Sequence, residues 1–208
     1  MKKLITILGL ALLTALLITG CQKEPAWEDD VTEDATAVEL TNGTWEYTES
    51  IITEGDYKKD YLGSMDEDEL ADMPQSFKDL SGKVAITIKT VYTIKVADET
   101  VTLESRKDIY AVKYPEAAEK KILENTVAAY KKDLEPGEDV SLSGTTITFT
   151  TTYPEESIKG WQTTKEDVLS EFTDLSVKTN KKHTKYMYSA SVDQNGAKVS
   201  YKKTLSKK

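Results

Sequence analysis

The chain has 208 residues, with 36 acidic against 27 basic side chains and a formal net charge of −9. That balance argues against nucleic acid as a partner, because neutralising phosphates needs a net basic face. A single cysteine and a single histidine exclude an internal disulfide and the usual zinc sites, so the fold must rest on apolar burial and hydrogen bonding.

The N-terminus reads as a secretory leader. Lys2 and Lys3 supply a positive start, and Leu4 to Leu17 is an apolar run without a charge. Residues 4–20 are fewer than the about 20 apolar residues that a bilayer core requires. Ile18-Thr19-Gly20-Cys21 resembles the lipobox of bacterial lipoproteins: an aliphatic residue, two small ones, then cysteine. The resemblance implies residues 1–20 as signal peptide, lipidation of the Cys21 thiol, and a partner membrane reached through that lipid. It also gives the sole cysteine a reason to exist. Each buried CH₂ contributes about 0.8 kcal/mol, so two or more acyl chains (palmitate, for instance) hold a domain firmly. The implied location is the bacterial cell envelope. Gln22 is not the aspartate that marks inner-membrane retention in that family, which points to the outer membrane if the host has one.

Charge then divides the chain. Residues 22–80 carry 18 acidic and 4 basic side chains, whereas 178–208 carry 9 lysines and one acid, Asp193. Residues 21–41 read as the acylated cysteine and an acidic tether. Glu24, Glu28, Asp29, Asp30, Glu33, Asp34 and Glu39 crowd a stretch with little apolar periodicity, and Trp27 stands alone in it. Residues 42–208 form the expected single domain.

Gly43 to Thr53 reads as a strand with Trp45, Tyr47 and Ile51 on one face. Gly55 to Gly63 reads as a loop. Ser64 to Met73 has a capping-box pattern, Ser64 with Glu67, and Pro74 stops the helix. Lys83 to Val96 alternates over about fourteen residues, the period of a long half-solvated antiparallel strand. Thr100 to Ser105 and Lys107 to Tyr114 follow as two further strands. Pro115 to Leu134 is the expected long helix, with Pro115 at its first position. Thr145 to Tyr153 is a strand, and Thr164 to Phe172 a short helix capped by Thr163 or Thr164. Thr184 to Asp193 and Ala197 to Leu205 make a hairpin around Asn195-Gly196. The fold class is α+β and strand-dominated, either an antiparallel sheet or a lipocalin-like barrel, with one long and two short helices.

Catalytic chemistry finds little support in the residues. His183 lies in the run Lys181-Lys182-His183, the context of a solvated turn. No G-x-S-x-G elbow presents a serine. Asp66-Glu67-Asp68-Glu69 with Asp72 lacks the glycine and ligand spacing of a calcium loop. Ser81-Gly82-Lys83 has no upstream glycine for a phosphate loop. No motif calls for a metal or a cofactor, and the lone Arg106 among lysines reads as composition, not chemistry. Among 36 acids, some carboxylates must lie close together, so a hydrolase using buried carboxylates stays open as the alternative.

Gly43-Thr44-Trp45 at the first strand is similar to the G-x-W that opens the lipocalin barrel and many lipocalin-like lipoproteins. The resemblance implies a tryptophan closing one barrel end and an interior for a small apolar ligand. Plain core packing is the other reading of Trp45. The cavity would be lined by Trp45, Tyr47, Ile86, Ile88 and Phe149. The expected function is a non-enzymatic binding or interaction module, for a small apolar ligand or an envelope protein. A closed barrel would set residues 44–52 antiparallel to 197–205, with Glu46, Lys198 and Lys202 facing outward.

Overall fold

A computed structural model describes residues 30–194 and 196–208. The leader, Cys21, tether residues 22–29 including Trp27, and Asn195 of the expected turn lie outside the described residues. Ten strands form one sheet: β1 (Val31–Asp34), β2 (Gly43–Asp56), β3 (Lys83–Ala97), β4 (Thr100–Lys113), β5 (Glu138–Ser143), β6 (Thr146–Thr152), β7 (Gln162–Thr164), β8 (Lys178–Asn180), β9 (Lys185–Gln194) and β10 (Ala197–Lys207). The spatial order is β1-β8-β9-β10-β2-β3-β4-β6-β5, with β7 beside the start of β4. Every pairing is antiparallel. Five short α-helices, one π-helical turn and a 3-10 turn at Leu62–Ser64 complete the described chain.

Period-two alternation gives the sheet one covered face and one polar face. On β3, Val84, Ile86, Ile88, Tyr92, Ile94 and Val96 share the covered face, while Lys83, Thr87, Lys89, Thr93 and Lys95 share the other. The register carries this division across the neighbours: Ile88 stands beside Ile51 on β2 and Tyr110 on β4, and Tyr110 beside Phe149 on β6.

Two separate caps bury the two ends of the covered face. One end holds Trp45, Tyr186 and Leu205, all fully buried, under Leu40 and the segment carrying Val168, Phe172 and Val177. The other end holds Val84, Val112, Val140 and Ile147 under Tyr57, Tyr61, Phe77, Leu123 and Val127. Complete burial of a side chain such as Leu205 contributes about 1.5–3 kcal/mol, so the two caps secure the sheet without a disulfide.

The expected pairing of the first long strand with the last is present. Tyr201 stands opposite Ile51, Lys203 opposite Glu49 and Leu205 opposite Tyr47. Opposite charges meet along it, with Lys208 Nζ 2.6 Å from Glu46 Oε2 and Lys203 Nζ 3.3 Å from Glu49 Oε1. The pairing does not close a barrel. β9, β8 and β1 continue beyond β10, and β3 to β5 continue beyond β2, so the joint lies inside an open sheet whose edges are β1 and β5. Trp45 therefore plugs no barrel end. It is a core residue, its indole N–H donating to the Thr41 carbonyl at 2.8 Å.

Other expectations are corrected. The tether does not extend to residue 41: Val31 to Asp34 pairs with β8, and Val31 and Leu40 are 5% and 4% exposed. Lys178 reaches Asp34 at 2.6 Å and Lys185 reaches Asp30 at 3.0 Å, so here the acids are partners of the basic C-terminal half. The long helix spans only Lys120–Tyr130. Tyr114 is still extended, as a residue before proline prefers, and its N–H donates to the Thr145 carbonyl at 3.0 Å. Pro115 begins a turn, not the helix. Residues 57–61 form a π-helical turn, not a loop, because the Asp56 side chain accepts from the Lys58 and Lys59 N–H groups while Tyr57 and Tyr61 are buried. The early helix begins at Glu67, and Ser64 Oγ donates back to the Tyr61 carbonyl instead of capping it. β5 was not anticipated. It joins β6 through Gly144, whose φ of 58° suits glycine.

Candidate binding groove

The two caps leave the middle of the covered face open. Three successive rows of side chains lead from the edge of the first cap into it. The first runs Tyr186, Leu205, Tyr47, Tyr92, Arg106. The second runs Tyr188, Lys203, Glu49, Thr90, Asp108. The third runs Ala190, Tyr201, Ile51, Ile88, Tyr110. A groove of about 520 Å³ lies over the second and third rows, and Leu175 and Glu171 from the first cap form its rim. Apart from the exposed Glu171, its residues are half-buried, in contrast to the fully buried caps. Ile51, Ile88, Leu175, Ala190, Val192 and Tyr201 supply the apolar lining. The volume falls within the roughly 300–1,000 Å³ typical of small-molecule sites.

One end of the groove is charged. Lys203 Nζ donates to Glu171 Oε2 at 2.6 Å and lies 3.3 Å from Glu49 Oε1. Tyr47 donates its phenolic proton to the same Glu49 oxygen at 2.6 Å. Burial alone pulls the Lys203 ammonium down, but the Glu171 hydrogen bond and the Glu49 charge outweigh it, so its pKa is raised. Burial, reinforced by the Glu49 hydrogen bond, pushes the Tyr47 phenol far above the ordinary tyrosine value. Both groups therefore keep their protons throughout the neutral range. Lys203 stands between Glu49 and Glu171, so these two carboxylates share an ammonium.

A second polar cluster adjoins on β4. Arg106 grips Asp108 through two nitrogens, Nε at 3.1 Å and Nη2 at 2.8 Å. Its guanidinium lies 4.6 Å from the Tyr153 ring centroid and 5.8 Å from that of Tyr92. Tyr153 donates to Asp108 Oδ2 at 2.9 Å. A bulge builds this cluster. Thr93 pairs with Ser105 but Ile94 pairs with Leu103, so Glu104 is the extra residue. The shift reverses the alternation of β4: Val101 and Leu103 face the cap before it, Arg106 and Asp108 after it. Reading Arg106 as mere composition is thus corrected. It is a fixed, half-buried cation beside the groove.

Of the five residues expected to line a ligand cavity, the structure brings only Ile88 to the groove. Trp45 and Tyr47 belong to the first cap, Ile86 and Phe149 to the second. Those positions are filled by packing: Trp45 with Tyr186 at 6.5 Å, Tyr47 with Tyr92 at 5.7 Å, and Phe149 with Tyr130 at 4.9 Å. The expected lining left out Ala190, Val192 and Tyr188, and also Tyr201, although the pattern of the last strand turns Tyr201 inward with Val199 and Leu205. It also missed Glu171, whose relation to Lys203 is tertiary.

His183 is exposed in the turn between β8 and β9 with a φ of 50°. Among the described residues no three His, Cys, Asp or Glu side chains are grouped to hold a metal ion, and no helix is long and apolar enough to cross a membrane. No known protein family, curated protein or solved structure matches this chain.

Proposed function

We propose that the protein is a bacterial lipoprotein, anchored through Cys21, whose folded domain binds a small, largely apolar molecule and performs no covalent chemistry on it. The observation that carries the binding reading is the groove itself. The chain folds ten strands and two caps, yet leaves Ile51, Ile88, Ala190, Val192 and Tyr201 facing an unfilled volume of about 520 Å³. Contiguous exposed apolar surface of this kind, rimmed by polar side chains, marks a site of binding. The anchoring reading rests on the lipobox pattern, and it holds such a module close to amphiphilic molecules of the envelope.

The neutral dye phenylnaphthylamine tests the binding reading, since it fluoresces on entering an apolar site. Saturable one-to-one binding that is lost in Ala190→Trp, which fills the groove, supports the proposal. Absent binding, or binding that Ala190→Trp leaves intact, overturns it. Anchoring is tested separately: labelled palmitate enters the wild-type chain in cells and not the Cys21→Ser variant. Equal labelling of the two rejects the lipid anchor.

A further inference from the structure

Resting on the ligand-binding reading above, we infer that the groove selects a single-chain amphiphile whose head carries an ammonium group, in preference to one with a carboxylate. The argument lies in how the charges at its polar end are already committed. Lys203 is the cation of the polar row. Its ammonium contacts Glu171 Oε2 at 2.6 Å, the Glu171 carbonyl at 3.4 Å and Glu49 Oε1 at 3.3 Å. Lys202, next in the chain, also borders the groove, but alternation along β10 turns its side chain to the opposite face, in register with Ser50 and Ser189. Arg106, the neighbouring cation, is matched by its two-point grip on Asp108.

The row therefore sets two carboxylates, Glu49 and Glu171, against one ammonium. Their side chains are 39% and 51% exposed while that of Lys203 is 26% exposed, so the negative groups are the more accessible. A ligand carboxylate would become the third carboxylate around a single ammonium. Alternatively it would draw Lys203 away and leave Glu49 partly buried without its cation, an arrangement proteins avoid. A ligand ammonium meets the opposite situation. It adds the missing positive charge, and two aromatic residues that attract cations line the groove nearby: Tyr188, directly beside Lys203 in the register, and Tyr201, two positions earlier on β10. Its alkyl chain would run over Ile51, Ile88, Ala190 and Val192.

The test is displacement of bound phenylnaphthylamine by decyltrimethylammonium and by decanoate, both below their micelle-forming concentrations. The expected result is displacement by the ammonium compound at concentrations about tenfold or more lower, the equivalent of about 1.4 kcal/mol. Glu171→Gln should narrow that ratio about threefold or more, as removal of a charge facing the ligand does. Glu166→Gln removes the same charge from an exposed position on the preceding helix and should leave the ratio unchanged. Decanoate that matches or outcompetes the ammonium compound overturns the head-group inference while leaving the groove as a binding site. A ratio that Glu171→Gln does not change, or that Glu166→Gln changes equally, overturns it as well, since net charge alone then accounts for the preference. Failure of the dye to bind at all removes both readings together.

Discussion

Leu40→Ala separates a fold that begins at β1 from one that begins at the first long strand. Leu40 precedes the Gly-Thr-Trp strand opening and sits in an acidic, unpatterned stretch, yet it is 4% exposed and packs in the cap with Trp45, Phe172 and Tyr186. Truncating a buried leucine costs about 2–5 kcal/mol, the lost transfer energy plus the cavity left behind. Taking about 3 kcal/mol from within that range and about 2–4 °C per kcal/mol for a chain of this size gives a fall in melting temperature of about 6–12 °C. Urea unfolding followed by tryptophan fluorescence reads the same quantity, because Trp45 lies in the affected cap. Thr36→Ala, four residues earlier and exposed, is the control and should stay within about 0.5 kcal/mol. A Leu40→Ala loss below 1 kcal/mol would refute the reasoning, meaning that residues 31–40 lie against the cap without contributing to it. By the same argument, a chain beginning at residue 42 loses β1 as well as Leu40 and should unfold at a lower urea concentration than Leu40→Ala does.

Three further outcomes can be checked. Gly137→Ala should cost about 2 kcal/mol or more in thermal unfolding, since φ is +90° and an added Cβ would lie 2.5 Å from the Thr152 carbonyl oxygen; Gly144→Ala, with φ +58° and open space, should cost only about 1 kcal/mol. Tyr57→Phe should leave the melting temperature unchanged or raise it, because the Tyr57 hydroxyl is buried with no hydrogen-bond partner among the described residues; a loss above 1 kcal/mol would show that the hydroxyl has a partner. Hydrogen bonds from Thr163 and Thr164 hold the Asp167 carboxyl below its ordinary 3.8, at about 2. The folded value is the lower one, so this contribution is present above about pH 4 and is lost as pH falls through about 2. Carboxyl NMR titration should find the midpoint near 2 and see it rise in Thr163→Val; an unmoved midpoint would contradict the assignment.

Strand-rich architecture was legible wherever one face of a strand had to be buried. The alternation in β3 and the hairpin of β9 and β10 state their own period, and Thr164 with Asp167 states its own cap, which the structure shows as a reciprocal capping box. What escaped depends on partners remote in sequence. The acids of residues 30–34 look like tether until Lys178 and Lys185 are seen beside them. Pro115 looks like a helix start until Tyr114 is found continuing the β4–β6 ladder. Arg106 was the costliest omission, and a signal was present. Apolar residues occupy odd positions at Val101 and Leu103 but even positions at Tyr110 and Val112, a change of phase that a bulge produces. The groove was illegible for a different reason. Sequence patterning identifies which face of a strand is apolar, whereas the gap between two caps depends on how far each cap reaches across that face.

The place of β10 has a consequence for when the molecule can exist at all. This last strand is the sole link in the sheet order between β1, β8 and β9 on one side and β2 to β6 on the other. Until the final residues emerge, the early strands can make only the β2-β3-β4 meander and its extension. Glu49 and Ile51 then have no neighbour on their open edge, and neither polar nor apolar row of the groove is complete. Folding must wait for the whole chain, with contacts that span 155 residues or more, such as Lys185 to Asp30 and Lys207 to Thr41. Such long-range closure is slow. Loss of residues 197–208, which hold β10, would not trim the protein but divide it, leaving two half-sheets with unpaired edges open to other chains.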